Sequence, residues 1–429
     1  MKCIINLFLR NKTVANAGWL IVGKIAQMVL NLCVTLLTAR YLGPANYGLI
    51  NYGSAYTAFF MAFCTLGINS VIVKELIDSP EDEGKIIGST LVLRAISSFL
   101  SAVMIVALVS IIDANEPTTI IVTTLCSVGL FFHIFDTFNY WFQSKLLSKT
   151  TAIVSLIAYF IMSIYKVALL VLGKSVEWFA FALALDYICI GIMLFVAYKH
   201  YGGRKLGFSK SISKRLLSKS VYFILPSLMV AIYGYTDKFM LKQMLSETEV
   251  GYYSTATAVS SLWCFVLSAI IDSMYPTIME AHKKDKILFE IRNKQLYAIV
   301  FYFSVIVSIL FCIFGKLAIK ILYGDAYMSA VIPLRIVTWY TAFSYLGVAR
   351  NAWIVCENKQ KYLKYIYVSA ALSNIVLNYL FIPVWGPSGA AVASLITQIL
   401  TTMVIPFFIK PLSRNSTLML EAIMLKEIK

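Results

Sequence analysis

An aspartate and a lysine stand side by side in an otherwise apolar stretch, YGYTDKFML, residues 233–241. A carboxylate can hold a proton or a cation, and an ammonium group can bind an anion. Successive side chains of a helix point about 100° apart, so Asp237 and Lys238 would face different neighbours. Asp237 is therefore a candidate coupling site for a proton or sodium ion, and Lys238 a candidate anion ligand. The alternative is a charge pair that only offsets its own burial.

A second lysine lies in the first apolar segment of the chain. On a helix, Lys24 shares one stripe with three neutral polar side chains, because all four fall within roughly 80° of one another at about 100° per residue. The three are Gln27, Asn31 and Thr35. Polar side chains that face lipid are disfavoured, so the stripe should face protein or water. We predict that this stripe and Lys238 bind substrate in one hydrated cavity.

Two further groups of residues could take part in this chemistry. His133 and Asp136 share a helical face near the end of an apolar segment, where they could form a gate or a second coupling site, or a satisfied polar cluster between helices. Tyr47, Tyr52 and Tyr56 could stack on the rings of a ligand such as a sugar, although most aromatic residues of such a chain serve packing and the membrane interface. The eight cysteines show no metal-type spacing.

The composition places these residues in a membrane. Of the 429 residues 60% are hydrophobic and 14% charged, and the mean hydropathy is +0.79, well outside the range of soluble globular domains. Stretches between apolar segments stay below about 25 residues, which is too short for a soluble catalytic or nucleotide-binding domain. The net charge of +16 is spread over short loops, which argues against a nucleic-acid partner.

The apolar segments are long enough to cross a bilayer as helices, which takes about 20 residues each. We predict about twelve such spans. They are residues 14–38, 46–70, 87–110, 118–139, 151–172, 178–198, 221–243, 253–274, 295–315, 329–349, 363–382 and 388–409.

The distribution of basic residues predicts the orientation. If both termini are cytoplasmic, that side carries about 27 of the 37 Lys and Arg residues, as the positive-inside rule requires. Arg94, Lys166 and Arg335 lie within about two turns of a span end, so we expect them to extend to the interface.

The two halves of the chain look alike. YLGPANYGLINYGSAY after the first span resembles MLSETEVGYYSTAT after the seventh, and aligning Gly48 with Gly251 gives an offset of 203 residues. We therefore predict an all-α integral membrane protein with two six-helix lobes, related by a pseudo-two-fold axis along the membrane normal, around a central cavity. The lobes are residues 1–198 and 221–429, joined by a basic, Gly- and Ser-rich cytoplasmic linker over 199–220.

Three segments resemble a known family. LLTARYLGPANYGLINYGSAY, YTDKFMLKQMLSETEVGYYSTAT and WGPSGAAVASLITQIL are similar to segments of oligosaccharide flippases of the Wzx (RfbX) type, in the multidrug/oligosaccharidyl-lipid/polysaccharide exporter superfamily. The resemblance covers essentially the whole chain. One departure is NYWFQSKLLSK, where many relatives have a Gly and then a Glu soon after the Gln, whereas this chain has Ser144, Lys145 and Leu146.

The resemblance implies a transporter of the bacterial inner membrane and not an enzyme. Its substrate would be an undecaprenyl-diphosphate-linked oligosaccharide for O-antigen or capsule assembly, moved from the cytoplasmic to the periplasmic leaflet. Membrane lipids are expected partners, and a polysaccharide polymerase and a chain-length regulator are further candidates. No cofactor is implied beyond a coupling proton or sodium ion.

Other functions are compatible with parts of the sequence. A multidrug exporter of the same superfamily would be expected to hold cationic drugs with carboxylates, whereas the cavity candidates here are predominantly lysines. A lipid II flippase is closer, and the sequence separates it poorly from an oligosaccharide flippase. A membrane-embedded polymerase or ligase usually needs a large outer loop, whereas the predicted outer loops are about 15 residues or fewer.

Overall fold

The computed structural model describes the backbone of residues 12–426 and the side chains of residues 26–426. Within that range the chain is helical, without strands. The α-helices are α1 Lys12–Thr65, α2 Asn69–Asp78, α3 Glu83–Ile112, α4 Pro117–Phe132, α5 Thr137–Ser144, α6 Ser148–Val171, α7 Val176–His200, α8 Lys210–Met244, α9 Glu247–Ser261, α10 Cys264–Lys284, α11 Lys286–Leu322, α12 Val331–Cys356, α13 Leu363–Trp385, α14 Pro387–Ile399, α15 Ile405–Phe408 and α16 Lys410–Ile423.

The first two predicted spans lie in one long helical run with a break. Gly43 in α1 has φ 71° and ψ 172°, a conformation that favours glycine, and Pro44 follows it without an N–H to donate. In the part of the chain that is described, eleven helical stretches are long and apolar enough to cross a membrane, and the first, Ala26–Asp78, contains this break. The all-helical, multi-span architecture predicted from the sequence is confirmed.

The chain folds into two compact units. The N-terminal unit contains Met1–Leu42 and Tyr52–Ala231, and the C-terminal unit contains Gly43–Asn51 and Ile232–Lys429. The division therefore falls inside α1 and α8, and not in the predicted linker over 199–220. The pseudo-two-fold axis and the central cavity remain predictions.

The predicted linker is ordered, and we call residues 201–209 the strap. In the N-terminal unit, the strap lies along the start of α3: Gly207 N donates to Gly84 O at 3.1 Å, and Ser209 N donates to Ser89 Oγ at 3.0 Å. A Cβ at Gly88 would overlap the carbonyl oxygen of Gly207, so the glycine permits this approach. Composition alone could not reveal these contacts, and α8 begins at Lys210, inside the predicted linker.

Two glycines that the sequence comparison aligned lie against each other in the C-terminal unit. A Cβ at Gly48 would overlap the Glu247 carbonyl oxygen, and a Cβ at Gly251 would overlap the Pro44 carbonyl oxygen. The same offset of 203 residues relates Pro44 to Glu247 and Gly48 to Gly251. Two backbones thus meet through reciprocal glycine contacts, which we call the glycine seam.

Candidate functional site

The carboxylate of Asp237 lies at the centre of a buried polar cluster in the C-terminal unit. Asp237 is 5% exposed. It accepts hydrogen bonds from Asn378 Nδ2 at 2.6 Å, Ser394 Oγ at 2.6 Å and Asn374 Nδ2 at 3.1 Å. The hydroxyl of Tyr253 donates a fourth. An ionised carboxylate accepts hydrogen bonds through both oxygens and donates none, so four donors match its charged form.

Three other helices bring these donors to α8. Asn374 and Asn378 are four residues apart on α13 and therefore share one face. Ser394 comes from α14, which packs closely on α13 because a Cβ at Gly389 would overlap the Phe381 carbonyl oxygen. The cluster thus exists only when α8, α9, α13 and α14 are packed together.

One polar atom of this cluster has no hydrogen-bond partner. The Asn378 side chain is fully buried, and its Oδ1 is unpaired. A buried carbonyl oxygen without a donor costs free energy unless something occupies the position. An amide oxygen beside a carboxylate and a hydroxyl is also the kind of ligand that a sodium ion takes, since hard cations prefer oxygen.

Lys238 makes a separate set of contacts from those of Asp237. Its Nζ donates to Asn51 Oδ1 at 3.1 Å, and the Asn51 amide donates to Tyr47 O at 2.9 Å. The described hydrogen bonds of Asp237 come from neutral groups of other helices. The two neighbouring charges are therefore held by different parts of the C-terminal unit.

A cavity of about 370 Å³ lies beside both charges, within the C-terminal unit. Hydroxyl-bearing side chains dominate its wall. The lining residues are Tyr233, Gly234, Tyr235, Asp237, Lys238, Tyr253, Thr257, Ser260, Ser261, Cys264, Val337, Tyr340, Thr341, Ser344, Tyr345 and Ser394. Lys238 thus lines a cavity of the C-terminal unit, and its place in a central cavity shared with the α1 stripe stays a prediction.

Hydrogen bonds between helices fix part of the wall. The Tyr233 and Tyr340 hydroxyls are 2.7 Å apart, and Gln398 Nε2 donates to the Tyr233 hydroxyl. Ser260 Oγ and Thr341 Oγ1 are 3.1 Å apart. These bonds join α8, α9 and α14 to α12, so the cavity has a defined polar wall.

The predicted stripe on α1 is partly described. Asn31 is exposed, Gln27 and Thr35 are half-buried, and Thr35 Oγ1 lies 3.5 Å from Asn31 Oδ1, as expected for one face. The side chain of Lys24 lies outside the described residues. These residues belong to the N-terminal unit and Lys238 to the C-terminal unit, so their sharing one cavity stays a prediction.

His133 and Asp136 lie in a 3-10 turn between α4 and α5 of the N-terminal unit. Asp136 Oδ1 accepts a hydrogen bond from Asn139 Nδ2 at 3.1 Å. The His133 ring meets the Tyr187 ring edge-on, with centroids 5.4 Å apart. The two residues thus have neighbours in the protein, and their role as a gate stays a prediction.

Two charges expected to extend to the interface are instead inside the N-terminal unit. Arg94 is 1% exposed and donates to Asn69 Oδ1 at 2.6 Å and Thr137 Oγ1 at 3.0 Å. Lys166 Nζ lies 2.7 Å from Asp186 Oδ2. Polar side chains of neighbouring helices bind these charges in place of interfacial water. The sequence of a single span does not contain this information.

The three candidate stacking tyrosines are buried. Tyr52 is 0% exposed, and its hydroxyl donates to Asp113 Oδ2 at 2.9 Å. Tyr56 packs edge-on against Tyr52, and Tyr47 packs against Tyr323 with ring centroids 6.3 Å apart. Rings covered by protein cannot offer a face to a ligand in this conformation, so their stacking role is not supported.

The sequence reasoning missed the partners of Asp237. Three of these partners lie in segments that the sequence analysis described only as apolar spans. They are Asn374, Asn378 and Ser394. One signal was available: Asn374 and Asn378 are spaced by one helical turn, so they form a polar face within an apolar span.

Comparisons with known proteins give the family. The sequence profile of the family described as Polysaccharide biosynthesis protein matches residues 13–282. The chain belongs to this family. Two relatives with curated names match nearly the whole of this chain. The capsular polysaccharide biosynthesis protein CapF of Staphylococcus aureus is 22% identical over 92% of this chain and 99% of its own.

Two further similarities agree with a transporter. The putative O-antigen transporter of Escherichia coli strain K12 is 18% identical over 89% of this chain and 93% of its own. The solved structure of lipid II flippase MurJ in an inward closed conformation superposes with a TM-score of 0.71 at 17% identity, covering 94% of this chain and 91% of that one. This member of the polysaccharide biosynthesis protein family is therefore a multi-span membrane protein with a fold like that of a lipid II flippase.

Proposed function

We propose that the chain is a flippase that moves an undecaprenyl-diphosphate-linked oligosaccharide from the cytoplasmic to the periplasmic leaflet by alternating access. The observation that carries the proposal is Lys238 on the wall of a hydroxyl-lined cavity, in a member of the polysaccharide biosynthesis protein family. O-antigen and capsule repeat units are both candidate cargoes, since relatives carry both names.

The charge of the diphosphate is the physical problem that such a protein must solve. Burying an isolated charge in hydrocarbon costs on the order of tens of kcal/mol in the Born limit. A lysine about 4 Å from a phosphate contributes roughly 4 kcal/mol at an effective dielectric constant of about 20. That attraction is strong enough to hold the head group and weak enough to release it, while the lipid tail stays in the bilayer.

Lys238 provides the direct test of this function. Lys238→Gln keeps a hydrogen bond to Asn51 within reach but removes the charge, so we expect surface polysaccharide to fall by at least about tenfold, for a loss of some 1.4 kcal/mol or more. Lys238→Arg should keep part of the activity. The measurement is surface polysaccharide relative to membrane abundance of each variant.

The control for this test is Lys320→Gln, because that lysine is largely exposed, and we expect it to behave as the parent. Lys24→Ala should act like loss of Lys238 if both residues bind the substrate. Normal polysaccharide in a Lys24→Ala, Lys238→Ala double variant would remove both residues from the mechanism.

We further propose that Asp237 is the coupling site, where a proton or sodium ion binds and leaves during the cycle. Its four neutral donors and the unpaired Asn378 Oδ1 support a site that exchanges a small cation. His133 and Asp136 are proposed as a gate in the N-terminal unit. An inside-negative potential also favours outward movement of an anion, by about 2.3 kcal/mol per charge per 100 mV.

The location proposed is the bacterial inner membrane with both termini cytoplasmic, where a polysaccharide polymerase and a chain-length regulator would be partners. Lys210→Cys, at the exposed start of α8, should react with a membrane-impermeant maleimide only in permeabilised cells, in a background without native cysteines. Lys320→Cys, in the last turn of α11, should react in intact cells, because this end of the helix is assigned to the periplasm. The reverse pattern would invert the topology.

Two related functions are the alternatives. A multidrug exporter would confer drug resistance on overexpression. A lipid II flippase would be needed for cell-wall synthesis and not for surface polysaccharide. Depletion of the chain, followed by measurement of both polymers, separates these functions.

A further inference from the structure

We propose that the cavity beside Lys238 is a saccharide subsite, which binds one sugar ring of the substrate through the hydroxyl-rich wall of α9 and α12. This inference rests on the proposed function and adds where the sugar binds. The anionic part of the substrate would be held by Lys238 at the edge of the same cavity.

The chemistry of the wall supports a neutral, polyhydroxylated ligand. Of the two charged lining residues, Asp237 already accepts four hydrogen bonds. Lys238 donates to Asn51, and because an ammonium group has three N–H donors it can also hold an anion. Most of the other polar groups of the wall are hydroxyls, including those of Thr257, Ser344 and Tyr345. Hydroxyls both donate and accept hydrogen bonds, as do the hydroxyls of a sugar.

The size of the cavity limits what it can hold. Its volume of about 370 Å³ is at the low end of the roughly 300–1,000 Å³ typical of small-molecule sites. It therefore suits a single ring, and the rest of an oligosaccharide would lie outside it. The tyrosines of the wall add apolar ring surface, which can pack on the C–H face of a sugar.

Gly234 marks the open side of the cavity. It lies one helical turn before Lys238 on α8, lines the cavity and is exposed, and a Cβ there would meet no atom within 4 Å. The position can therefore carry a side chain without a clash, and because Gly234 lines the cavity we expect a large side chain there to compete with a ligand. This makes Gly234 a means of filling the cavity without disturbing its wall.

The first experiment is a size series at Gly234. Surface polysaccharide should fall with side-chain size from Gly234→Ala through Gly234→Leu to Gly234→Phe, by at least about tenfold for Gly234→Phe, with lipid-linked saccharide accumulating and membrane abundance unchanged. The matched control is Val230→Phe, an exposed apolar position one turn earlier on the same helix, which should have no effect. Full activity of Gly234→Phe would overturn the subsite.

The second experiment uses Cys264, which lines the cavity. In purified protein whose other cysteines are replaced, a small methanethiosulfonate reagent should modify Cys264. The lipid-linked saccharide extracted from cells lacking this chain should slow the reaction. The same extract, after mild acid has removed the saccharide, should not.

The outcomes separate this inference from the function on which it rests. If cells lacking the chain accumulate no lipid-linked saccharide, the proposed function itself fails. If they do accumulate it, but intact and acid-treated extracts protect Cys264 equally, the flippase function stands and the subsite is wrong. Thr341→Val removes one wall hydroxyl and should weaken protection while leaving Cys264 reactive.

Discussion

Asp237→Asn should lower transport driven by a cation gradient by about 100-fold or more, while the chain remains folded in the membrane. The amide has nearly the shape of the carboxylate but carries no charge, so a cation loses an attraction of roughly 4 kcal/mol at about 4 Å and an effective dielectric constant of about 20. The measurement is flipping of a lipid-linked saccharide in proteoliposomes under an imposed sodium or proton gradient.

Two companion variants make this result specific. Asp237→Ala removes the acceptor that four buried donors share, at about 1–3 kcal/mol for each group left unsatisfied, so it should also lower the melting temperature. Asp272→Asn changes an exposed aspartate of α10 and should behave as the parent. If Asp237→Asn still responds fully to both gradients, Asp237 is not the coupling site.

The same variants distinguish between sodium and a proton as the coupling ion. A sodium ion that binds the folded state raises the melting temperature of the parent in proportion to its saturation, and Asp237→Asn should lose that rise. A proton site would instead show a pH dependence of transport at constant sodium, which the variant would lack.

Gly48→Ala should be among the most damaging small substitutions in the chain. Its Cβ would overlap a backbone oxygen, which cannot rotate away as a side chain can, so the two backbones of the glycine seam must separate. Overpacking of this kind costs typically about 1–3 kcal/mol. We expect a lower melting temperature and strongly reduced surface polysaccharide.

The seam also predicts how related variants behave. Gly251→Ala should have the same effect, and the double variant should be less harmful than the sum, because one separation relieves both contacts. The control is Gly315→Ala, a helical glycine whose Cβ would make an ordinary contact of 3.5 Å with Leu334. A Gly48→Ala protein with parental stability and activity would mean that the seam is not closed in the membrane.

Sequence reasoning succeeded where local physics decides the outcome. The length of the apolar segments fixed the helical spans, and Gly43 followed by Pro44 explains why two of them form one broken run. Lys238, singled out as a charge in an apolar segment, lines a cavity of the C-terminal unit. These results need only helical periodicity and the cost of polar groups in lipid.

Sequence reasoning failed where the structure depends on packing between helices that are distant in the sequence. The donors to Asp237 come from α9, α13 and α14, and no single segment contains the information that brings them together. Tyr52 was predicted to offer an accessible ring, but its hydroxyl donates a hydrogen bond to Asp113, which lies 61 residues away in the sequence. Arg94 and Lys166 likewise contact polar side chains of neighbouring helices, which the sequence of their own spans could not predict.

The strap bears on how this polypeptide can be cut in two. The strap, residues 201–209, is hydrogen-bonded to Gly84 and Ser89. It is therefore an ordered part of the N-terminal unit and not a flexible linker between two modules. A gene split at Gly202 would place most of the strap on the carboxyl-terminal fragment, separated from Gly84 and Ser89 on the amino-terminal fragment. Any version assembled from two separately made pieces should keep the strap with the amino-terminal piece.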